Sequence, residues 1–381
     1  MAGVYVHIPY CKQACSYCDF YFSTSRKSEQ AFLKALHREI ELQQDFFPAD
    51  VLPLRSLYFG GGTPSLLHPD EIARIIAAVQ QQFGLLDDAE ITLEANPDDI
   101  TRAQLKAWRA AGVNRLSIGI QSFIPRELLW MKRAHTAEQA LCCVPKAQDA
   151  GFERLTIDLI YATPSLSTAE WEQTLEQALA FNVPHLSCYA LTIEPQTLLH
   201  HQVRKGEVQP PPDANFVEQF KLLGKRTSAA GFRHYEISNL AQPGTEAVHN
   251  SNYWKGRPYL GLGPSAHSYD GNSLRHHNLR NVHAYNRSLL ENNTLPIAET
   301  EYLSLIDRFN ELLLLRLRLL EGVPEHAVET LLNQLQYGRT NYERARDALI
   351  TTGQLQRVAG HLRLSPDARL LADAITAELM V

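Results

Sequence analysis

Between residue 4 and about residue 240, short apolar runs alternate with longer amphipathic ones, and that rhythm restricts the chain to few architectures. The runs Val4–Ile8, Ser56–Phe59, Ile91–Glu94, Arg115–Ile120, Leu155–Ile160, Leu186–Leu191 and His234–Ser238 predict strands. Helical patterns fall between them, at 29–44, 69–83, 102–111, 137–150, 168–181 and 213–230. Pro69, Thr168 and Asp213 stand near the helix starts, and Gly84, Gly112, Gly151 and Gly231 near the ends, where capping chemistry wants them. Alternation of this kind predicts an α/β fold with a parallel sheet and right-handed crossovers. Six or seven units favour a partial or complete barrel over a doubly wound sheet. No fixed-period consensus points to a solenoid.

The texture changes after Asn239. Residues 241–298 read as a loop-rich region with many His, Asn, Gly and Tyr residues and no strand–helix rhythm. From residue 299, helical patterns at 301–320, 325–334 and 342–352 lead into a strand–turn–strand candidate at 353–364, around Ala359-Gly360. Helices followed by a hairpin predict a small, mostly α, winged-helix-like domain. The organisation expected is therefore 1–240, 241–298 and 299–381.

The 381 residues are 45% apolar and 20% charged, as in an ordinary globular chain. Lys plus Arg number 36 against 42 Asp plus Glu, a net charge of −6, so no basic footprint invites nucleic acid. The longest apolar run, Leu312 to Leu320, is broken by Arg316 and Arg318 and falls short of a membrane span of about 18 residues. A basic n-region and long h-region are missing at the start, so no signal peptide is expected. Six cysteines are too few for a disulfide scaffold.

Three of those cysteines lie within eight residues, as Cys11-x3-Cys15-x2-Cys18 in PYCKQACSYCDF. Cys142, Cys143 and Cys188 stand in apolar-periodic stretches, where a buried thiol is the plain reading. For the trio, structural zinc would need a fourth ligand. His7 is close, but it sits on the predicted first strand, alternating in facing with Tyr5. A [4Fe–4S] cluster with three thiolates and one open iron fits the same spacing, since thiolate ligation suits iron–sulfur clusters. Spacing alone leaves both open. Separately, Glu94 and Gln121 close predicted strands and Asp158 interrupts one, in LTIDLIY. In an α/β barrel the C-terminal strand ends face the active site, so three polar groups there favour a functional face.

C-x3-C-x2-C in a loop after the first strand resembles the signature of the radical S-adenosylmethionine (SAM) proteins. There, three thiolates hold the cluster and the open iron chelates SAM, whose reductive cleavage yields methionine and a 5′-deoxyadenosyl radical. Phe59-Gly60-Gly61-Gly62-Thr63-Pro64 resembles the family's glycine-rich turn against the SAM amino group. Glycines there would let the backbone approach the ligand. The segments VYVHIPYC, YFGGGTPS, LEANP, RLSIGIQSF, KRAH, TIDLIY and YLGLGPSAHS extend the likeness over nearly the whole chain. They resemble the branch that contains oxygen-independent coproporphyrinogen III dehydrogenase and the HemW heme chaperones.

That resemblance implies a partial (β/α)6 barrel and SAM contacts at Tyr5, Gly61, Gly62, Thr63, Glu94, Gln121, Arg133 and Asp158. Arg133, the cation of the set, suits the SAM carboxylate, and Glu94 and Asp158 suit the ammonium and the ribose hydroxyls. The dehydrogenase carries a further cysteine where this chain has Phe20, and a long segment ahead of its cysteines where this one has ten residues. Both departures disfavour coproporphyrinogen III dehydrogenation, which stands as the alternative alongside other radical SAM oxidoreductases of tetrapyrroles. His249-Asn250-Ser251-Asn252-Tyr253-Trp254 matches the H-N-x-x-Y-W motif that the chaperones associate with heme. Imidazole is a good axial ligand, and Tyr253 and Trp254 offer flat apolar area. A turn-capping and packing role for the same residues is the bland alternative, and His267, His276, His277 and His283 are reserve ligands. The resemblance thus implies a cytoplasmic heme chaperone with a cluster, SAM and heme, which delivers heme to apo-hemoproteins. It further implies recipients in the respiratory chain, met at the inner membrane, and an electron donor if SAM is cleaved. No basic or amphipathic anchor is visible.

Overall fold

Strands β1 (Gly3–Ile8), β2 (Leu54–Gly61), β3 (Leu85–Ala95), β4 (Arg115–Gln121), β5 (Arg154–Tyr161) and β6 (His185–Ala190) pair in that order, all parallel. The computed structural model describes residues 2–335 and 337–381. Helices α1 (Glu29–Leu42), α2 (Pro69–Phe83), α3 (Arg102–Ala110), α4 (Pro125–Trp130), α5 (Ala137–Asp149) and α6 (Thr168–Ala180) supply the crossovers, and α7 (Leu198–Arg204) and α8 (Asp213–Ala229) follow β6. Burial explains the apolar runs. Parallel strands are covered on both faces, so β1 is buried at five of its six residues. The helix starts are set by side chains: Thr136 and Gln139 form a capping box on α5, and Ser167 and Glu170 on α6.

The six-unit barrel is partial, because the sheet has free ends. On the β6 side, β8 (Asn239–Ala241) and then β7 (Arg233–His234) add antiparallel. The single strand expected at 234–238 is thus two short strands joined through a bend. Residues 241–298 depart further from expectation. They carry α9 (Val248–Trp254), β9 (Tyr259–Leu262), β10 (His267–Tyr269), β11 (Leu274–Asn278) and α10 (Val282–Leu290), and they lead into β12 (Ile297–Tyr302). Strand β9 pairs parallel with β1, and β10 to β12 extend the sheet as an antiparallel meander to its twelfth strand.

The remainder has its own core, built on Phe309, Leu313, Val328, Tyr342, Leu349 and Leu362. Its order is α11 (Leu305–Arg316), β13 (Val323–Pro324), α12 (Glu325–Leu332), α13 (Arg339–Thr351), β14 (Leu355–Val358), β15 (His361–Leu364) and α14 (Ala372–Leu379), with sheet order β13-β15-β14. That is a winged-helix-like arrangement, and Ala359 and Gly360 turn the hairpin at φ +51° and +76°. The unit packs on the barrel through Ile237, and Leu320 N–H donates to the Tyr235 carbonyl at 2.8 Å. No helix among the described residues is long and apolar enough to cross a membrane.

Candidate functional site: a cysteine loop over a barrel chamber

The loop that carries the cysteines leaves the C-terminal end of β1 and is tied down at many points. Ser23 N–H donates to the Pro9 carbonyl at 2.7 Å and Cys11 N–H to the Ser23 carbonyl at 3.0 Å, which closes the loop's base. His7 Nε2 meets the Tyr21 carbonyl at 2.9 Å, Gln13 Nε2 donates to the Lys132 carbonyl at 3.0 Å, and Lys12 pairs with Asp98 at 2.6 Å and with Asp99. His7 and Tyr5 share one face of β1, with Tyr5 Oη 3.2 Å from His7 Nδ1, because residues two apart on a strand point the same way. The expected alternation between them is therefore corrected. Burial lowers the His7 pKa to about 4, so its ring is neutral and serves the loop as a hydrogen-bonding strut.

Each thiol has a polar neighbour. Thr63 Oγ1 donates to Cys11 Sγ at 3.5 Å, Arg133 Nη1 donates to Cys15 Sγ at 3.5 Å, and the Phe20 backbone N–H donates to Cys18. Burial nevertheless raises the Cys11 pKa, and raises that of Cys18 to about 12, with the neighbouring thiols adding repulsion. A cationic centre would reverse that balance and hold the sulfurs as thiolates. Among the described residues no three His, Cys, Asp or Glu side chains converge on a single ion.

Beneath the loop lies a cavity of about 1090 Å³, and its wall gathers Cys11, Cys15, Cys18, Tyr5, Gly61, Gly62, Thr63, Glu94, Gln121, Arg133 and Asp158. Eleven residues singled out from the sequence thus meet on one surface, drawn from five strands and three loops. Glu94 on β3 accepts from Tyr58 Oη at 2.7 Å, and Asp158 on β5 accepts from Ser117 Oγ at 3.1 Å. Burial raises the pKa of Glu94 to about 7, and that of Asp158 to about 6. For Glu94 the charge of Asp158 pushes in the same direction, whereas the Tyr58 bond opposes it. Arg133 is fastened by Nη2 to Asn96 Oδ1 at 2.5 Å and to the Gly119 carbonyl at 2.8 Å, while its Nε is buried without a partner. Gln121 holds φ +64°, a conformation uncommon outside glycine and one that recurs at ligand-binding strand ends.

The glycine turn has a second reason for its composition. A Cβ on Gly61, which sits at φ +103°, would lie 2.5 Å from the His7 ring, and one on Gly62 would lie 2.7 Å from the Tyr10 carbonyl oxygen. Gly62 and Thr63 N–H groups donate to the Ile8 and Tyr10 carbonyls at 2.9 and 2.8 Å. These glycines let the turn nest against the cysteine loop, in addition to any approach to a ligand.

The H-N-x-x-Y-W residues occupy the short helix α9 at the floor of the barrel. Glu90 accepts from the N–H groups of Val248 and His249 at 3.0 Å each, an anion placed at a helix N-terminus. His249 is buried, with Nδ1 2.8 Å from Ser56 Oγ and Nε2 2.9 Å from Tyr253 Oη. Its ring stacks on Tyr58 at 5.2 Å, and burial lowers its pKa to about 3. His249 and Tyr253 line the chamber, with both imidazole nitrogens engaged. Trp254 stands off the chamber wall, beneath the Arg318 guanidinium at 5.2 Å. Of the reserve histidines, His267 lines the chamber, whereas His276 and His277 line a hollow of about 410 Å³ on the β10–β12 meander. Tyr58, Ser117, Asn96 and Arg318 were not singled out from the sequence. Ser117 precedes the flagged strand end Gln121 by four residues on the same strand, the even spacing that would have found it, whereas Tyr58 lies on β2, which ends in the glycine turn and carries no flagged polar end.

Residues 5–178 match the model of the radical SAM superfamily. The chain is 37% identical to the heme chaperone HemW of Mycobacterium tuberculosis (strain ATCC 25618 / H37Rv), over 99% of this chain and 94% of that protein. It is 32% identical to the heme chaperone HemW of Bacillus subtilis (strain 168), over 85% of each. Among solved structures, the radical SAM enzyme coproporphyrinogen III oxidase (HemN) from Escherichia coli superposes with a TM-score of 0.83, over 100% of this chain and 90% of that one. At 22% identity that likeness speaks to the fold. Identity carried across nearly the full length of its relatives does more: the chain belongs to the HemW heme chaperone family of the radical SAM superfamily.

Proposed function

We propose that the chain is a heme chaperone whose barrel carries a [4Fe–4S] cluster on Cys11, Cys15 and Cys18, binds SAM beside it, and holds heme for delivery to apo-hemoproteins. The observation that carries this reading is the single chamber, which joins three thiols, two half-buried carboxylates and an arginine with a partnerless Nε. The donor set fits the groups. Three thiols on one loop suit thiolate ligation of a cluster, and Thr63, Arg133 and the Phe20 N–H supply the bonds that tune cluster sulfurs. Glu94 and Asp158 accept only, which suits an ammonium and hydroxyls, and Arg133 Nε is free for a carboxylate. Gly61, Gly62, Thr63, Tyr5 and Gln121 complete that wall. The cluster, when reduced, would supply the electron that cleaves SAM.

The heme part rests on the name its relatives carry and on α9. In this reading His249 and Tyr253 shape the chamber floor, Trp254 steadies Arg318, and iron ligation by His249 requires its Tyr253 bond to open. Apo-hemoproteins, those of the respiratory chain included, are the proposed recipients, reached from the cytoplasm at the inner membrane. Anaerobic reconstitution tests the whole on one sample. Iron and sulfide should appear together, SAM should bind, heme should titrate to saturation, and heme should pass to an apo-hemoprotein on mixing. Stoichiometric zinc without sulfide would end the cluster reading, and absence of saturable heme binding would end the chaperone reading. Repeated turnover of coproporphyrinogen III, which Phe20 disfavours, would put an oxidoreductase in its place.

A further inference from the structure

The chamber does not stop at the cluster and SAM residues. It reaches sideways past β5 and β6 to the C-terminal unit, where Arg318, Arg369 and Asp373 form part of its wall. Its volume of about 1090 Å³ lies above the ~300–1,000 Å³ usual for one small ligand. The lateral part is aromatic. Tyr161 stacks on Phe216 at 6.1 Å and 6°, Phe216 meets Phe220 at 6.3 Å, and Phe220 meets the His234 ring at 5.5 Å. Tyr189, on β6 and within that wall, is 46% exposed, and so presents a large aromatic surface to the open space.

Two guanidinium groups close this compartment. Arg369 makes one side-chain hydrogen bond, from Nη2 to the His234 carbonyl at 2.7 Å, and no ion pair among the described residues. Its burial is deep enough to lower its pKa to about 10. Arg318 lies over Trp254, bonds Asp373 through Nη1 at 2.6 Å, and leaves Nε buried without a partner. A sequestered cation with incomplete pairing is unfavourable, and an anion arriving in the cavity would relieve it. The neighbouring carboxylates meet that need only in part: Asp373 pairs with Arg318, and the Glu236 charge acts on both guanidinium groups. Glu236 is turned to Ser238 N–H at 3.1 Å and to the Asn239 amide, and Asp373 is mostly in solvent.

We infer that this lateral compartment holds a flat aromatic dicarboxylate, with Arg369 and Arg318 receiving the carboxylates and Tyr189 and Phe220 the ring face. The inference rests on the heme-chaperone reading, in which that molecule is heme and the carboxylates are its propionates. Planar guanidinium groups suit carboxylates because the two forks match. Trp254 then acts at one remove, holding Arg318 at the wall without touching the cargo.

The experiment titrates the chain with heme and with iron protoporphyrin IX dimethyl ester, which keeps the ring and removes both charges. The parent should bind heme roughly tenfold or more tightly than the ester, since charge-assisted pairs are the strong ones. Arg369→Gln and Arg318→Gln should each weaken heme while leaving the ester unchanged, and Arg369→Lys should restore part of the loss. Equal affinity of the parent for the two porphyrins, a measurement that needs no variant, overturns the inference and leaves heme binding intact. Equal weakening of both porphyrins in the glutamine variants overturns it as well. Saturable binding of neither overturns the chaperone reading and this inference with it.

Discussion

Replacing Tyr58 by Phe removes one hydroxyl, the one that donates to Glu94 Oε1 at 2.7 Å, and leaves the ring that stacks on His249. The Glu94 carboxyl titrates at about 7 because burial favours its neutral form, and the Tyr58 bond favours the charged one. A hydrogen bond to a charged group is worth about 1.5–3 kcal/mol. Glu94 borders an open chamber, so the lower end applies, which corresponds to about one pH unit. SAM brings a sulfonium and an ammonium, and these favour the ionised carboxylates. Affinity for SAM should therefore fall as pH drops through about 7, and Tyr58→Phe should move that midpoint up by about one unit. Stability runs the other way. The folded pKa of Glu94 lies above its ordinary value of 4.5, so its contribution is full below that value and is lost as pH rises through about 7. The thermal shift produced by SAM should consequently be larger at pH 8 than at pH 6. Calorimetric titration of SAM between pH 5.5 and 8.5, on parent and variant, is the assay. A midpoint that stays in place or moves down in Tyr58→Phe refutes the assignment of Glu94 as a cation acceptor.

Substitution of Cys11, Cys15 or Cys18 by Ala should each remove most iron and the brown colour after reconstitution, while Cys142→Ala should leave both unchanged, since Cys142 is a free thiol on the solvent face of α5, exposed where a buried thiol was expected, unlike the buried Cys143 and Cys188. Gly61→Ala should lower stability by roughly 1–3 kcal/mol in urea melts, because φ +103° and a ring 2.5 Å from the new Cβ both oppose it. His249→Leu should strand the hydroxyls of Ser56 and Tyr253, at about 1–3 kcal/mol, in the metal-free and heme-free protein. An unchanged melt there would show that the floor does not depend on these bonds, and a Soret shift at unchanged apo stability would make the histidine an iron ligand.

The barrel was legible because its signals are local. The centres of strands β1 to β6 are buried and read as apolar runs, and α2, α5 and α6 start on residues whose capping bonds are formed. The meander was not legible. Strand β9 is four residues, Tyr259–Leu262, set between Pro258 and Gly263, and its strand character comes from β1, more than 250 residues earlier. Strand β12 is exposed at all six positions, so it lacks the alternation by which a half-buried strand is recognised.

The site divides along the same line. Glu94, Gln121 and Asp158 were found because parallel topology turns local polarity in a strand into a position on one face of the barrel. His249 and Tyr253, four apart, read equally well as a ligand beside an aromatic platform or as a bonded pair on one helix face. The bond that distinguishes the structure from both is to Ser56, 193 residues away, which takes the second nitrogen. Arg318 and Arg369 lie at the far end of this scale. Arg318 shows in the chain only as a break in the apolar run Leu312–Leu320, and Arg369 not at all, since an arginine is ordinary in a helix-rich segment. Their significance is a long-range property: one sits on Trp254, the other against His234, and both face a cavity without enough negative charge to match them. Pairing that the fold leaves incomplete is visible only once the fold is built, and it is the observation from which the dicarboxylate inference is drawn.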